Sequence, residues 1–268
     1  MKQLTYSFTT NVQFSEPVEN HAFVLRCTPY TDDTQNSRPQ VELDPDEPFD
    51  YQVDSFGNHL LCGTILAPHS SFSFTTSGIA AIDASKQRKS AAHPLFLYET
   101  KLTHITPEMR DFLADSAAAG MRHMVMSGLG AASSATFTCE HLMHMVHETL
   151  AYTPGSTNVE TTAEQAFNQR AGVCQDYAHV LIALIRACNI PARYVSGLTV
   201  GEGATHAWVE ANLDGIWYGF DPTRNMLVDE TYIKLAVGRD FSDCPIERGT
   251  FQGFVTQTQT VFATVKEV

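Results

Sequence analysis

Positive charge is scarce in this sequence. Its 17 lysine and arginine residues stand against 30 aspartate and glutamate residues, which gives a formal net charge of −13. A protein that binds nucleic acid gains affinity by neutralising phosphates with lysine and arginine. An acidic chain with a pI near 5.2 is not suited to track phosphates, so the composition argues against nucleic acid and against anionic membranes as partners.

Long apolar runs and closely spaced cysteines are also absent. No stretch is long enough to span a bilayer, and the first residues, MKQLTYSFTTNVQF, alternate like a strand instead of forming the apolar block of a signal peptide. The six cysteines are scattered along the chain, which fits reduced thiols better than a disulfide framework. We therefore expect a cytoplasmic protein.

The order of the sequence patterns indicates two domains. Up to about residue 82, short runs with period-two alternation, such as AFVLR and SFSFT, are separated by turn-forming residues. Helical spacing follows, and strand-like segments then return as ARYVSGLTV, HAWVEANL and IWYGF. This order predicts an α+β protein, with a β-rich, sandwich-like domain over residues 1–90 and a second domain over residues 91–268.

Start signals predict the helices of the second domain. Pro107 suits the first turn of PEMRDFLADSA, and Thr161 with Glu164 is a candidate capping box for AEQAFNQR. The segment TFTCEHLMHMVHETLAY carries apolar residues on one side at helical spacing. A further helix, in AGVCQDYAHVLIALIRA, is predicted to begin at Cys174 after the turn-forming Gly172 and to place one apolar side in the core.

Cys174 is the candidate nucleophile. The N-terminus of a helix carries partial positive charge and unpaired N–H groups, both of which stabilise a thiolate. The thiolate, not the thiol, attacks a carbonyl carbon. A cysteine at this position therefore predicts thiol chemistry, provided that another residue acts as the base.

Two strands are predicted to bring a base and a carboxylate together. Asp214-Gly215 separates HAWVEANL from IWYGF and fits the two positive-φ positions of a type I′ hairpin turn. Counting outward from that turn places Trp208 opposite Asp221. His206 shares a face with Trp208, so it lies diagonal to Asp221 with the Cβ atoms about 7 Å apart.

This arrangement predicts a nucleophile, a base and an orienting acid: Cys174, His206 and Asp221. The other face of HAWVEANL carries small apolar residues suited to packing against the Cys174 helix. Trp208, on the His206 face, is a candidate to wall the cleft and contact substrate, with plain packing as the alternative.

Three histidines on one predicted helix raise the question of a metal site. His141, His144 and His147 step by three residues, whereas ligand pairs on a helix usually have i, i+4 spacing. His144 and Glu148 have that spacing, but no further ligands accompany them. We expect a solvated face here, and nothing in the sequence indicates a metal or a cofactor.

Four ordered blocks carry a family resemblance. AGVCQDYAH, IPARYVSG, THAWVEA and WYGFDPTRN resemble the transglutaminase-like superfamily in its bacterial branch of cysteine proteases, and LRCTPY and DSFGN are similar to the N-terminal region of those proteins. The resemblance implies a papain-like core in which a nucleophile helix packs on an antiparallel sheet. It places the nucleophile at Cys174, the base at His206 and the orienting acid at Asp221.

The implied chemistry is acyl transfer from a peptide or amide through a thioester on Cys174. Water as acceptor gives a peptidase or amidase, and an amine gives a transglutaminase. Because no calcium loop or amine channel is recognisable, hydrolysis is favoured. A binding module that kept the fold without turnover is the remaining alternative. The N–H of Cys174 is one expected oxyanion donor, and Tyr152 and Gln175 are candidates for the second.

Overall fold

The computed structural model describes residues 1–87, 89–115 and 134–268. Its helices are α1 (107–115), α2 (Ser134–Thr149), α3 (Ala163–Gln169) and α4 (Cys174–Ala187). Short 3-10 helices cover Ala84–Lys86, Pro94–Leu97 and Phe241–Asp243. Within the described ranges, none of the helices combines the length and apolar character needed to cross a membrane.

The strands form a large N-terminal sheet, a smaller central sheet and a separate two-stranded sheet of Ala151–Tyr152 with Ala171–Gly172. In chain order they are β1 (Lys2–Leu25), β2 (Gln35–Ser37), β3 (Gln40–Asp44), β4 (Phe49–Val53), β5 (His59–Ile65), β6 (His69–Ile82), β7 (Ala151–Tyr152), β8 (Ala171–Gly172), β9 (Ala192–Thr199), β10 (Gly201–Gly203), β11 (His206–Leu213), β12 (Ile216–Asp221), β13 (Met226–Leu227), β14 (Tyr232–Gly238), β15 (Glu247–Gln252) and β16 (Gln257–Glu267).

The long strand β1 organises the nine-stranded N-terminal sheet. Its first half pairs with β6 and β16, and its last residues, from His21 to Leu25, pair with β5. Residues on β1 alternate between buried and exposed, as a strand with one covered face requires. Buried phenylalanines from β1 and β6, such as Phe8 and Phe74, form the core of this curled, sandwich-like sheet.

Strands from the C-terminal half of the chain complete this sheet. β16 pairs with β1 over eleven positions, from Leu4 opposite Glu267 to Phe14 opposite Gln257, and β15 pairs with the end of β1. β10 pairs in turn with β16. The two parts of the chain are thus joined by hydrogen bonds within one sheet, and the domain boundary after residue 90 remains a prediction.

The central sheet has the strand order β13-β12-β11-β9-β14 and is antiparallel. Helix α4 packs on one face, against Ala207, Val209 and Ala211 of β11. These small residues let the helix approach the strand closely. The α+β class and the papain-like arrangement of a nucleophile helix on an antiparallel sheet are therefore confirmed.

Helix α4 is buried on every side from Asp176 to Arg186, whereas the sequence predicted burial of one apolar side. Arg186 explains the difference. Its guanidinium donates to the carbonyl oxygens of Phe96, Ala192 and Arg239 and to the hydroxyl of Thr103, at 2.7–3.2 Å. A buried charge with every nitrogen hydrogen-bonded can face the interior, so the helix needs no solvated side.

The predicted hairpin is confirmed. Asp214 and Gly215 both have positive φ, 52° and 86°, and Leu213 pairs with Ile216. The capping box of α3 is one residue later than predicted: the Thr162 hydroxyl accepts from the amide of Gln165, whose side chain accepts from the Thr162 amide. Thr161 instead accepts from the amide of Asn158.

Candidate active site

Cys174 is the first residue of α4, as predicted, and its side chain is half-buried. The turn before it is held by Asp176, whose Oδ2 accepts from the Val173 amide and from the Thr157 hydroxyl, both at 2.7 Å. Gly172 is required there, because a Cβ at this position would lie 2.6 Å from Asp176. These contacts therefore fix the backbone that places the Cys174 sulfur at the N-terminus of α4.

His206 and Asp221 meet as the hairpin register requires. Nε2 of His206 lies 2.7 Å from Oδ2 of Asp221. Cys174 also acts on the imidazole and is one of the causes that raise its pKa. Since Nε2 is occupied by Asp221, Nδ1 is the ring nitrogen left to face the sulfur. The structure thus brings together the three residues that the sequence singled out.

The environment favours the charged forms of this pair. Burial alone would lower the pKa of His206, but hydrogen bonds with Asp221 and Cys174 outweigh it and raise that pKa to about 9. Burial would likewise raise the pKa of Asp221, and the hydrogen bond and charge of His206 hold it below its ordinary value. The surroundings therefore favour an imidazolium beside a carboxylate.

Asp221 has further partners that sequence reasoning missed. The Tyr232 hydroxyl donates to its Oδ2 at 2.8 Å, and the amides of Thr223 and Arg224 donate to its Oδ1 at 3.0 and 3.1 Å. With both oxygens engaged, the carboxylate cannot rotate away from His206. The DPT turn itself signals the amide contacts, whereas no local pattern indicates that Tyr232 on β14 reaches this site.

Trp208 is 1% exposed and packs between two residues of the site. Its ring lies 6.4 Å from that of His206 and 5.3 Å from that of Tyr232, measured between centroids. Gly197 on β9 makes room for it, because a Cβ there would lie 2.3 Å from the indole. Trp208 supports the imidazole in this structure, and its contact with substrate remains a prediction.

The two candidates for a second oxyanion donor differ in their surroundings. Gln175 donates its side-chain amide to the Val159 carbonyl at 3.2 Å and so holds the neighbouring loop. Tyr152 is 56% exposed, and the charge of Cys174 contributes, after burial, to raising its pKa. Tyr152 is therefore the candidate that is both exposed and within electrostatic reach of Cys174.

Two of the three histidines of α2, His144 and His147, lie against the loop that follows Asp221. Nδ1 of His147 is 3.1 Å from the Pro222 carbonyl, and Nδ1 of His144 is 2.9 Å from the Asn225 side chain. The expected solvated face is therefore wrong for His147, which is half-buried. These contacts position the loop that supplies two amides to Asp221.

Two stretches of the chain match known families. Residues 124–222 match the transglutaminase-like superfamily, and residues 4–81 match the bacterial transglutaminase-like N-terminal region. The first stretch ends just after Asp221 and includes Cys174 and His206. The chain belongs to the transglutaminase-like superfamily.

Several relatives match a part of the chain. An uncharacterised protein of Mycobacterium leprae is 40% identical over 114 residues, which are 39% of this chain and 40% of that protein. The protein-glutamine gamma-glutamyltransferase of Pseudomonas aeruginosa is 30% identical over 132 residues, 42% of this chain and 20% of that enzyme. The alignments therefore span less than half of these relatives.

The fold is shared over the whole chain with a solved structure. A candidate cysteine protease from Cytophaga hutchinsonii superposes with a TM-score of 0.72, over 100% of this chain and 91% of that one, at 21% identity. At this identity the likeness establishes the transglutaminase-like fold. The chemistry of the site has to be argued from its own residues.

Proposed function

We propose that the protein is a cysteine peptidase or amidase that hydrolyses peptide or amide bonds through a thioester on Cys174. The observation that carries the proposal is the hydrogen bond of Asp221 with His206, whose pKa is also raised by Cys174, a cysteine at a helix N-terminus. Each member has the role that thiol acyl transfer requires: orienter, base and nucleophile.

The reaction begins with a thiolate–imidazolium pair. The raised pKa of His206, about 9, supports an imidazolium that persists at neutral pH beside the sulfur. The thiolate attacks the amide carbonyl, and His206 then donates its proton to the departing amine. A thioester on Cys174 remains, and Asp221 holds the ring in place during both transfers.

The tetrahedral intermediate needs donors for its oxyanion. The amide of Cys174, in the first turn of α4, has no acceptor within its own helix and can serve as one donor. Tyr152 is the candidate for the other. Loss of one such donor costs on the order of 3 kcal/mol of transition-state stabilisation.

Water is the proposed acceptor of the acyl group. His206 deprotonates a water molecule, which attacks the thioester and releases the acid. Transfer to an amine is the competing outcome, and the Pseudomonas relative, named as a protein-glutamine gamma-glutamyltransferase, supports this alternative. We also propose that the protein is cytoplasmic and that its substrate is a peptide or an amide.

The proposal is tested by incubating a peptide library with the wild-type protein and with Cys174→Ala, both with and without a labelled amine. Mass spectrometry should detect cleaved peptides in the wild-type samples and none with Cys174→Ala. In Asp221→Asn, turnover of the identified peptide should fall about 10⁴-fold because the neutral amide neither fixes the imidazole tautomer nor stabilises the imidazolium.

Asp214→Asn is the matched control, because asparagine accepts the positive φ of that exposed turn position. Its turnover should equal that of the wild type. Incorporation of the labelled amine without cleavage would show that the enzyme is a transglutaminase and not a hydrolase. Cleavage that persists in Cys174→Ala would exclude the thioester mechanism.

A further inference from the structure

A cavity of about 460 Å³ lies on the face of the central sheet opposite α4. Trp208 and Glu210 of β11 line it, whereas the intervening residues of that strand pack on α4. Neither Cys174 nor His206 is among its lining residues. We name it the rear cavity, bounded by β11, β12 and β14, by residues 30–35 and by residues 82–87 and 89–90.

The walls of the rear cavity are fixed by hydrogen bonds. The Gln35 side chain donates to the carbonyl oxygens of Tyr30 and Lys234 at 2.6 and 2.7 Å, which ties the N-terminal segment to β14. On the other side, the Ser90 amide donates to the Gly215 carbonyl at 2.6 Å. A cavity with such walls is preformed, as small-molecule sites usually are.

The charges deep in the cavity neutralise one another. Glu210 accepts from Arg193 at 2.6 Å and lies 2.8 Å from Nζ of Lys234, which also lies 3.3 Å from Asp32. Two cations therefore match two carboxylates. A simple anion or a simple cation would find its opposite charge already paired, so the fitting ligand has no net charge.

Trp208 adds a hydrogen-bond requirement. Its indole N–H is buried and has no acceptor among the residues that the structure describes. Burying a donor without an acceptor is unfavourable, and a carbonyl oxygen in the cavity would satisfy it. Aromatic rings of Tyr30, Trp217 and Tyr232 form other parts of the wall and suit planar groups such as peptide units.

Exposed charges of opposite sign lie at the two ends of the cavity. Lys89 lies beside the hairpin turn, its Cβ 3.6 Å from where a Cβ on Gly215 would be. Asp229 follows Val228 in the sequence, and Val228 contacts Gly219. Gly219 is four residues further along the chain than Gly215, the position next to Lys89. Four residues of strand span about 13 Å, and three extended peptide residues span about 10 Å.

We propose that the rear cavity binds a short zwitterionic peptide of two or three residues. Its ammonium lies at Asp229, a backbone carbonyl accepts from the Trp208 indole, and its carboxylate lies at Lys89. The site does not depend on thiol chemistry. It lies behind His206 and Asp221, since Trp208 and Tyr232 line the cavity and also contact one or both of these residues.

Tryptophan emission tests the proposal directly, because both tryptophans of the chain line the cavity. Triglycine is titrated into the full-length wild type and into Cys174→Ala. We expect a saturable emission change and a raised melting temperature, equal in the two proteins. N-acetyl-triglycine and triglycine amide, which each lack one terminal charge, should bind about tenfold more weakly.

Two variants assign the contacts. Asp229→Asn should remove the preference for triglycine over its acetylated form, and Trp208→Phe, followed through Trp217, should weaken triglycine about fivefold. Asp50→Asn, on the exposed strand β4, is the matched control and should bind like the wild type.

Three results would overturn the proposal: no saturable emission change, equal affinity for the three peptides, or unchanged affinity in both variants. If Trp208→Phe does not fold, the exposed Asp229→Asn still decides the outcome. Because binding is measured in Cys174→Ala as well, failure here is distinct from failure of the proposed hydrolase.

Discussion

In the candidate active site, Asp221 and His206 are held by more hydrogen bonds than the proton transfers themselves require. Asp221 accepts from a ring, a hydroxyl and two amides, and it fixes the orientation of His206. A ring fixed in this way keeps one nitrogen towards Cys174 and does not have to reorient during the reaction.

The raised pKa of His206 predicts how stability depends on pH. Because its pKa is about 9 in the folded protein against an ordinary value of 6.5, its contribution is fully present below pH 6.5. That contribution is lost as the pH rises through 9. Urea unfolding should show the wild type losing more stability between pH 6.5 and pH 9 than His206→Gln does.

His59→Gln, on β5 of the N-terminal sheet, serves as the control and should follow the wild-type pH profile. Asp221 acts in the opposite direction. Since its pKa is lowered from 3.8, its contribution is present above that pH and is lost in stronger acid. A wild-type profile parallel to that of His206→Gln would contradict the charged pair.

Much of the site could be predicted because its geometry is local. Asp214 and Gly215 determine the register of β11 against β12, and that register alone aligns His206 with Asp221. Tyr232 could not be found in this way. It lies on β14, which joins the sheet beyond β9, and no short-range pattern specifies that pairing.

At the scale of elements, the start of α4 determines where the sulfur points. Asp176 closes the first turn and ties it to Thr157 in the preceding loop. The helix itself was predictable from its apolar residues, but its complete burial was not. That burial depends on Arg186, whose acceptors come from three separate segments of the chain.

Asp176→Ala should loosen this helix start. Removing the acceptor of the Val173 amide is expected to destabilise the protein by about 1–2 kcal/mol, as loss of a helix cap does. Alkylation of Cys174 by iodoacetamide at neutral pH should slow in parallel, because the helix N-terminus no longer fixes the position of the sulfur. Urea titration and mass spectrometry measure the two effects.

Asp111→Ala, at an exposed position of α1, is the control and should change neither quantity. Unfolding and alkylation in Asp176→Ala that match the wild type would show that the Asp176 contacts do not position the nucleophile.

At the scale of the whole molecule, the N-terminal sheet is completed by strands that follow the candidate active site in sequence. β16 covers one edge of β1 and contributes Ala263 and Val265 to the core. This pairing joins residues more than 240 positions apart, such as Thr10 and Val261. The sequence predicted the strands near the N-terminus but gave no means of assigning such distant partners.

Truncation after Thr256 should therefore prevent stable folding of the N-terminal sheet, although it leaves residues 1–90 intact. It removes β16 and exposes the unpaired edge of β1, which favours aggregation. Soluble yield and thermal unfolding provide the measurement. Removal of Val268 alone, whose amide donates to the Gln3 carbonyl at 3.1 Å, is the control and should leave the protein soluble.

The pairing of β1 with β16 also determines how the molecule responds to mechanical force. Leu4 lies opposite Glu267, so a pull on the two ends of the chain would act at the same end of an antiparallel pair. Hydrogen bonds would then break one after another, as in a zipper, instead of resisting together in shear. Under tension, β16 would peel from the sheet at low force before the central sheet carried any load.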